Sequence, residues 1–147
     1  MHIRFAQSQD FDFIIQGLEN NRRIEERPLN QISATETDKQ EFHDAIKNQN
    51  IRIMEDETNP VGFLHFKIDA AVMYVEKRFF WIDLIYVDEK FRERGIGKLL
   101  YQDAIDIAKQ NGLDTIVLDI FDANIRSKTF HEKLGFKPLY TIYTKEL

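Results

Sequence analysis

Apolar positions in this chain alternate between short strand-like runs and stretches with helical spacing. Ile3 to Ala6 reads as a first strand. Phe11, Ile14, Ile15 and Leu18 then recur at i, i+3, i+4 and i+7, the stripe of an amphipathic helix, with Asp10 placed to cap it. Asn20 to Ala34 is polar, with Pro28 inside it, and predicts a loop or a broken helix. Thr37 and Gln40 have capping-box spacing and predict a second helix burying Phe42, Ala45 and Ile46. Ile51–Met54 and Val61–Ile68 flank a turn at Asp56 to Pro60, which reads as a hairpin. Phe79–Val87 is a long, largely apolar strand, and Ile96–Asn111 a helix with Ile96, Leu99, Leu100, Ala104, Ile107 and Ala108 on its buried stripe, closed by Gly112. Thr115–Ile120 reads as a buried strand, Asn124–Leu134 as a helix ended by Gly135, and Lys137–Thr144 as a closing strand. The order β-α-α-β-β-β-α-β-α-β implies a mixed sheet with helices packed on it, in the α/β or α+β class.

Composition narrows the function. At 147 residues, 43% hydrophobic and 31% charged, the chain reads as one globular domain, residues 1–147, large enough to bury a core. It has no cysteine, which excludes disulfides, thiolate metal sites and a cysteine nucleophile. The four histidines lack metal spacing, so no metal is expected. Ser8, Ser33 and Ser127 sit in no nucleophile elbow, and Tyr74, Tyr101, Tyr140 and Tyr143 read as core or surface aromatics. No signal peptide and no apolar run of about 20 residues is visible, so no membrane partner is expected and the expected location is cytoplasmic. A net charge of -5 argues against nucleic-acid binding, and any polyanionic ligand must be met by a local basic patch.

Such a patch follows the apolar strand at Phe79–Val87. Lys90, Arg92, Arg94 and Lys98 surround Gly95 and Gly97 at the start of a helix. The first N–H groups of a helix have no internal acceptor, the dipole makes them electropositive, and glycine lets a phosphate come close. A P-loop would need Ser or Thr after Gly97-Lys98 and a glycine five residues before Gly97; neither is present. A dinucleotide fingerprint would need a small residue where Leu100 stands. What remains is Arg92-Glu93-Arg94-Gly95-Ile96-Gly97, an R-x-x-G-x-G arrangement after a strand.

This segment resembles the coenzyme A motif of the GNAT superfamily of acyltransferases. Asn124-Ile-Arg-Ser-Lys-Thr-Phe-His-Glu-Lys-Leu-Gly-Phe136 is similar to that family's closing helix, and IRFAQSQDFDFI to its first strand and helix. The resemblance implies a mostly antiparallel sheet splayed between the strands at 79–87 and 115–120, with the pantetheine arm of acetyl-CoA entering the gap. It implies backbone contacts from Ile85, Tyr86 and Val87, pyrophosphate contacts from Arg92, Glu93, Arg94, Gly95, Ile96, Gly97 and Lys98, and a cofactor contact from Asn124, which also reads as a helix N-cap. Where many members carry a Tyr that protonates the departing thiolate, this chain has His131, whose imidazole N–H is expected to donate instead.

The implied activity is acetyl transfer from acetyl-CoA to a primary amine on a small molecule or a protein. The alternative is a catalytically silent coenzyme A sensor. An ammonium cannot attack, so a base is required. Asp83 is the expected base, by strand alternation on the face of Ile85 and Val87 unless a bulge shifts the phase, with a pKa raised by the cleft; its competing reading is a carboxylate paired with a nearby cation. A backbone N–H near Ile85 is the expected oxyanion donor. Glu25 and Glu26 lie where the family builds its acceptor pocket and are the candidates for a cationic substrate. His65 alternates with Val61 and Phe63 on one hairpin face and reads as a packed or an exposed residue rather than a base. The reading also admits a homodimer.

Overall fold

The computed structural model describes residues 1–68 and 77–147; Tyr74 lies outside the described residues. The elements are β1 (His2–Phe5), α1 (Phe11–Ile24), α2 (Glu36–Lys47), β2 (Ile51–Asp56), β3 (Asn59–Ile68), β4 (Phe80–Val87), α3 (Ile96–Gln110), β5 (Ile116–Val117) and α4 (Ile125–Lys133). The sheet order is β1-β2-β3-β4-β5. Every pair is antiparallel except β4 with β5, which is parallel. This is the mixed sheet flanked by helices that the element pattern implies, mostly antiparallel as the resemblance implies.

Each face of the sheet closes its own core. On one, Leu64, Phe80 and Ile82 bury against Ile96, Leu100, Ala104 and Ala108 of α3. On the other, Ile53, Phe63, Leu84 and Tyr86 bury against Ile14 of α1 and Phe42 and Ala45 of α2. Helix α1 comes close because Gly17 faces the sheet: a Cβ there would lie 2.5 Å from the Phe63 ring and 2.8 Å from Tyr86. Arg22 of α1 holds Asp38 with two hydrogen bonds of 2.9 and 3.0 Å, fixing α2 against α1.

Four local expectations change. Asp10 does precede α1, but its buried carboxylate makes no cap bond to that helix. It takes two bonds from Arg4 and one from the Gln7 N–H instead, because a buried charge needs a full set of donors. The capping box of α2 is Thr35 with Asp38, two residues before the expected pair, since Asp38 both caps and accepts Arg22. The strand expected at Thr115–Ile120 pairs only at Ile116 and Val117. Lys137–Thr144 forms no strand: the ladder of β5 is too short to template one, and residues 137–147 are exposed. Among the described residues no helix is long and apolar enough to cross a membrane.

Candidate active site

Two parallel strands that separate leave backbone groups without partners, and this happens between β4 and β5. Their pairing consists of Phe80 with Ile116 and Trp81 with Val117. Beyond Trp81 the chains run on unpaired. The gap forms a cleft of about 60 Å³, lined by Ile82–Ile85 from β4 and Leu118–Phe121 from the other side. Asn21 and Glu25 at the end of α1, and Asn124, Ser127 and His131 of α4, close it.

Which backbone groups face the gap follows from the ladder. The Asp88 N–H donates to the Val61 carbonyl at 2.9 Å. Alternation then sends the N–H groups of Tyr86 and Leu84 to β3, and those of Ile85 and Val87 to the edge that β5 has left. The structure therefore brings Ile85 and Val87 to the gap and leaves Tyr86 out. The Tyr86 main chain is held by β3, and its hydroxyl accepts from Asn20 at 3.0 Å on the α1 side.

The basic segment continues from there. Arg92 Nε donates to the Val87 carbonyl at 3.0 Å, tying the guanidinium to the strand end. Arg94 lies 5.0 Å over the Phe91 ring. Glu93 and Gly95 take positive φ, 65° and 78°, which turns the backbone into α3. Gly95 is the N-cap and no side chain caps the helix. The first helical N–H bond recorded is Leu99 to the Gly95 carbonyl, so the N–H groups of Ile96, Gly97 and Lys98 are open to an anion. Ile96 contributes only backbone, since its side chain is buried in the α3 core. A Cβ on Gly97 would lie 3.3 Å from the Phe130 ring of α4, so the missing side chain leaves the helix start uncovered. The Glu93 side chain turns outward toward Arg126.

Asp83 departs from expectation in two ways. The β3–β4 register runs His65 with Leu84 and Phe66 with Ile82, so Asp83 is the extra residue of a β-bulge. Ile82 belongs to the α3 core and Leu84 to the opposite one, while Ile85 and Val87 return to the α3 side. The phase slips at Asp83, whose carboxylate does not share the face of Ile85 and Val87. It lies 3.0 Å from His65 Nδ1 and 3.5 Å from Lys67 Nζ, and it accepts from the Trp81 indole at 3.1 Å. Burial alone would push its pKa up, but the His65, Trp81 and Lys67 contacts outweigh burial and hold it at about 2. The expected raised pKa is thus reversed: a carboxylate surrounded by donors is a weak base.

His131 is buried on α4. Its Nδ1 lies 2.8 Å from the Ser127 carbonyl, which can only accept, so the ring proton sits on Nδ1. Among the described residues Nε2 is left as a buried acceptor without a partner. The expected N–H toward the gap is spent on the helix backbone, and burial lowers the imidazole pKa, which disfavours a second proton. Asn124 accepts from the Ser127 N–H at 3.1 Å, as the N-cap reading expects, and also lines the cleft. Glu25 reaches the cleft but is held by Asn21 and Arg27. Arg27 in turn lies 4.5 Å over the Phe121 ring, bridging the two walls. Glu26, with φ of 57°, is exposed and not part of the lining.

Residue-type reasoning missed Asp119, an exposed residue whose carboxylate lines the cleft and whose pKa is raised by partial desolvation there and by the charge of Asp83. Its signal was a lone acid inside the apolar run Thr115–Ile120. It also missed the ionic chain from Asp83 through Lys67 to Glu41, 2.8 Å from Lys67 Nζ. Glu41, His65 and Asp83 present ligand atoms within 4.8 Å of one another. The Lys67 ammonium already supplies the cation between the two carboxylates. A wider groove of about 630 Å³ lies along α2, with His65 and Lys67 at its floor.

Residues 18–136 match the acetyltransferase (GNAT) family, and the chain belongs to it. An uncharacterised N-acetyltransferase of Methanocaldococcus jannaschii is 33% identical over 78 residues, 53% of this chain and 34% of that protein. The chain spans about a third of the length of the curated relatives it matches. Among solved structures, a mutant protein of Bacillus halodurans superposes with a TM-score of 0.82 at 22% identity, covering 100% of this chain and 99% of that one. An aminoglycoside N-acetyltransferase in complex with CoA superposes with a TM-score of 0.77 at 15% identity, covering 99% and 93%. At such identities the superpositions speak for the fold.

Proposed function

We propose that this chain transfers an acetyl group from acetyl-CoA to a primary amine. The observation that carries the reading is the gap between β4 and β5, with the N–H groups of Ile85 and Val87 facing it, continuous with the uncapped start of α3. The residues fit the cofactor on their own chemistry. The N–H groups of Ile96, Gly97 and Lys98 meet the pyrophosphate, with Arg92, Arg94 and Lys98 supplying charge. The orphaned His131 Nε2 and the Ile85 and Val87 N–H groups offer an acceptor and two donors to the amide-bearing pantetheine arm. When bound, acetyl-CoA supplies an acyl carbon already activated as a thioester. The Ile85 N–H stands where an oxyanion would be stabilised.

Among the described residues, Asp83, Asp119 and Glu25 line the cleft, with Lys67 paired to Asp83 and Arg27 to Glu25 behind them, which leaves the lining acidic. That balance supports a cationic amine as acceptor and disfavours an acidic one. His131 is better suited to accept than to donate, so the departing thiolate needs no acid from α4; a thiol with a pKa of about 8.5 leaves with weak help. The decisive experiment pairs thermal melts with acetyl-CoA and free-thiol release across polyamines, amino sugars, amino acids and peptides. A melting shift with turnover of a cationic amine is expected. No shift at saturating acetyl-CoA would sink the reading. Turnover of any amine would also eliminate the alternative, a silent coenzyme A sensor.

A further inference from the structure

We infer that Asp119 is the proton acceptor for the attacking amine, while Asp83, across the same cleft, stays ionised and holds the incoming cation. This deepens the acetyl-transfer reading and rests on it. Both carboxylates line the gap, but their surroundings differ. Asp83 is engaged by His65, Lys67 and Trp81. The Asp119 carboxylate meets its own backbone N–H and the more distant charge of Arg27, and among the described residues no side-chain hydrogen bond or ion pair reaches it. Asp119 is an exposed residue at the cleft wall, where partial desolvation of its carboxylate and the neighbouring Asp83 charge weaken its acidity, while the donors around Asp83 strengthen that of Asp83. Two carboxylates in one cleft whose environments push their acidities apart divide into a proton carrier and a fixed charge. The charged and titratable groups that face Asp119 are Asp83 from β4, Glu25 and Arg27 from beyond α1, and the uncharged, buried His131 from α4.

The step balances. One proton of the ammonium moves to an Asp119 oxygen. The freed nitrogen pair forms the C–N bond at the acetyl carbon as the C–S bond breaks and its electron pair leaves on sulfur. A second nitrogen proton passes to that sulfur, giving amide and thiol, and Asp119 returns its proton to water.

The test is a pH–rate series for thiol release with the best amine of the panel, on the parent, Asp119→Asn, Asp119→Glu and Asp83→Asn. The acetyl-CoA melting shift serves as the folding control. Asp119→Asn should lower kcat by about 10²-fold and erase the acid limb of the profile, while Asp119→Glu restores most of the rate. Asp83→Asn should act mainly on KM for the amine. Parent kcat and a parent acid limb in Asp119→Asn would overturn the assignment. If the parent shows the melting shift but acetylates no amine, the transfer reading itself fails. Carboxyl ¹³C titration then decides the carrier: a midpoint for Asp119 above that of Asp83 is expected, and one at or below it overturns the inference.

Discussion

At Gly97 the absence of a side chain keeps the first turn of α3 open, with Phe130 of α4 standing where a Cβ would press at 3.3 Å. Acetyl-CoA at a hundredfold excess over its Kd should stabilise the fold by about 2.7 kcal/mol. Gly97→Glu should abolish that gain in thermal melts, because it places bulk and negative charge against the N–H groups that meet phosphate. His131 gives a second test at this scale. Its folded pKa is lowered by burial from an ordinary value of about 6.5, so the unfolded chain binds the extra proton. The stability this burial contributes is complete above that value and is lost as pH falls toward the folded pKa. Melting temperature should therefore drop from about pH 7 to about pH 5, and His131→Phe should flatten that slope. An identical slope in the variant would show that another group titrates.

Helix α1 reaches the sheet through Gly17, and no rotamer of Ala avoids rings 2.5 and 2.8 Å from its Cβ. Gly17→Ala should cost about 1–3 kcal/mol in urea unfolding by overpacking; an unchanged midpoint would mean α1 shifts freely. The bulge in β4 has its own signature. Asp83 titrates at about 2 when folded and near 3.8 when free. Its stabilising effect is present above the free value and disappears as pH falls through the folded one. The acid-unfolding curve of Asp83→Asn should therefore lose much of the drop between about pH 4 and pH 2. A parent-like curve would place the acid-labile pairing elsewhere, with Arg22 and Asp38 as the next candidate, since Asp38 is also held below the usual carboxylate range.

For the molecule as a whole, a net charge of -5 coexists with four cations between Lys90 and Lys98. Binding of acetyl-CoA should weaken as salt is raised from 0.05 to 0.5 M, about the range over which exposed charges become screened; a flat titration would leave the backbone N–H groups as the whole recognition. The R-x-x-G-x-G segment, the apolar stripe of α3 and the element order as far as α4 were legible in the sequence because they depend on near neighbours: helical spacing, missing side chains and local charge. The cleft was legible only as an implication of family resemblance, since two strands part where their ladder stops, and no residue announces that. The bulge at Asp83 was beyond alternation, because one unpaired residue reverses every face after it and is chosen by the register with β3. So too were the acidities: Asp83 is held down by His65, Lys67 and Trp81, while Asp119, exposed at the opposite wall, is raised by partial desolvation and by the charge of Asp83. By itself the sequence determined the helices, the strands as far as β4 and a basic, glycine-containing segment at the start of α3. The tertiary structure decided the surroundings of Asp83 and Asp119 and so their acidities, because these depend on the donors and desolvation that packing brings from distant parts of the chain.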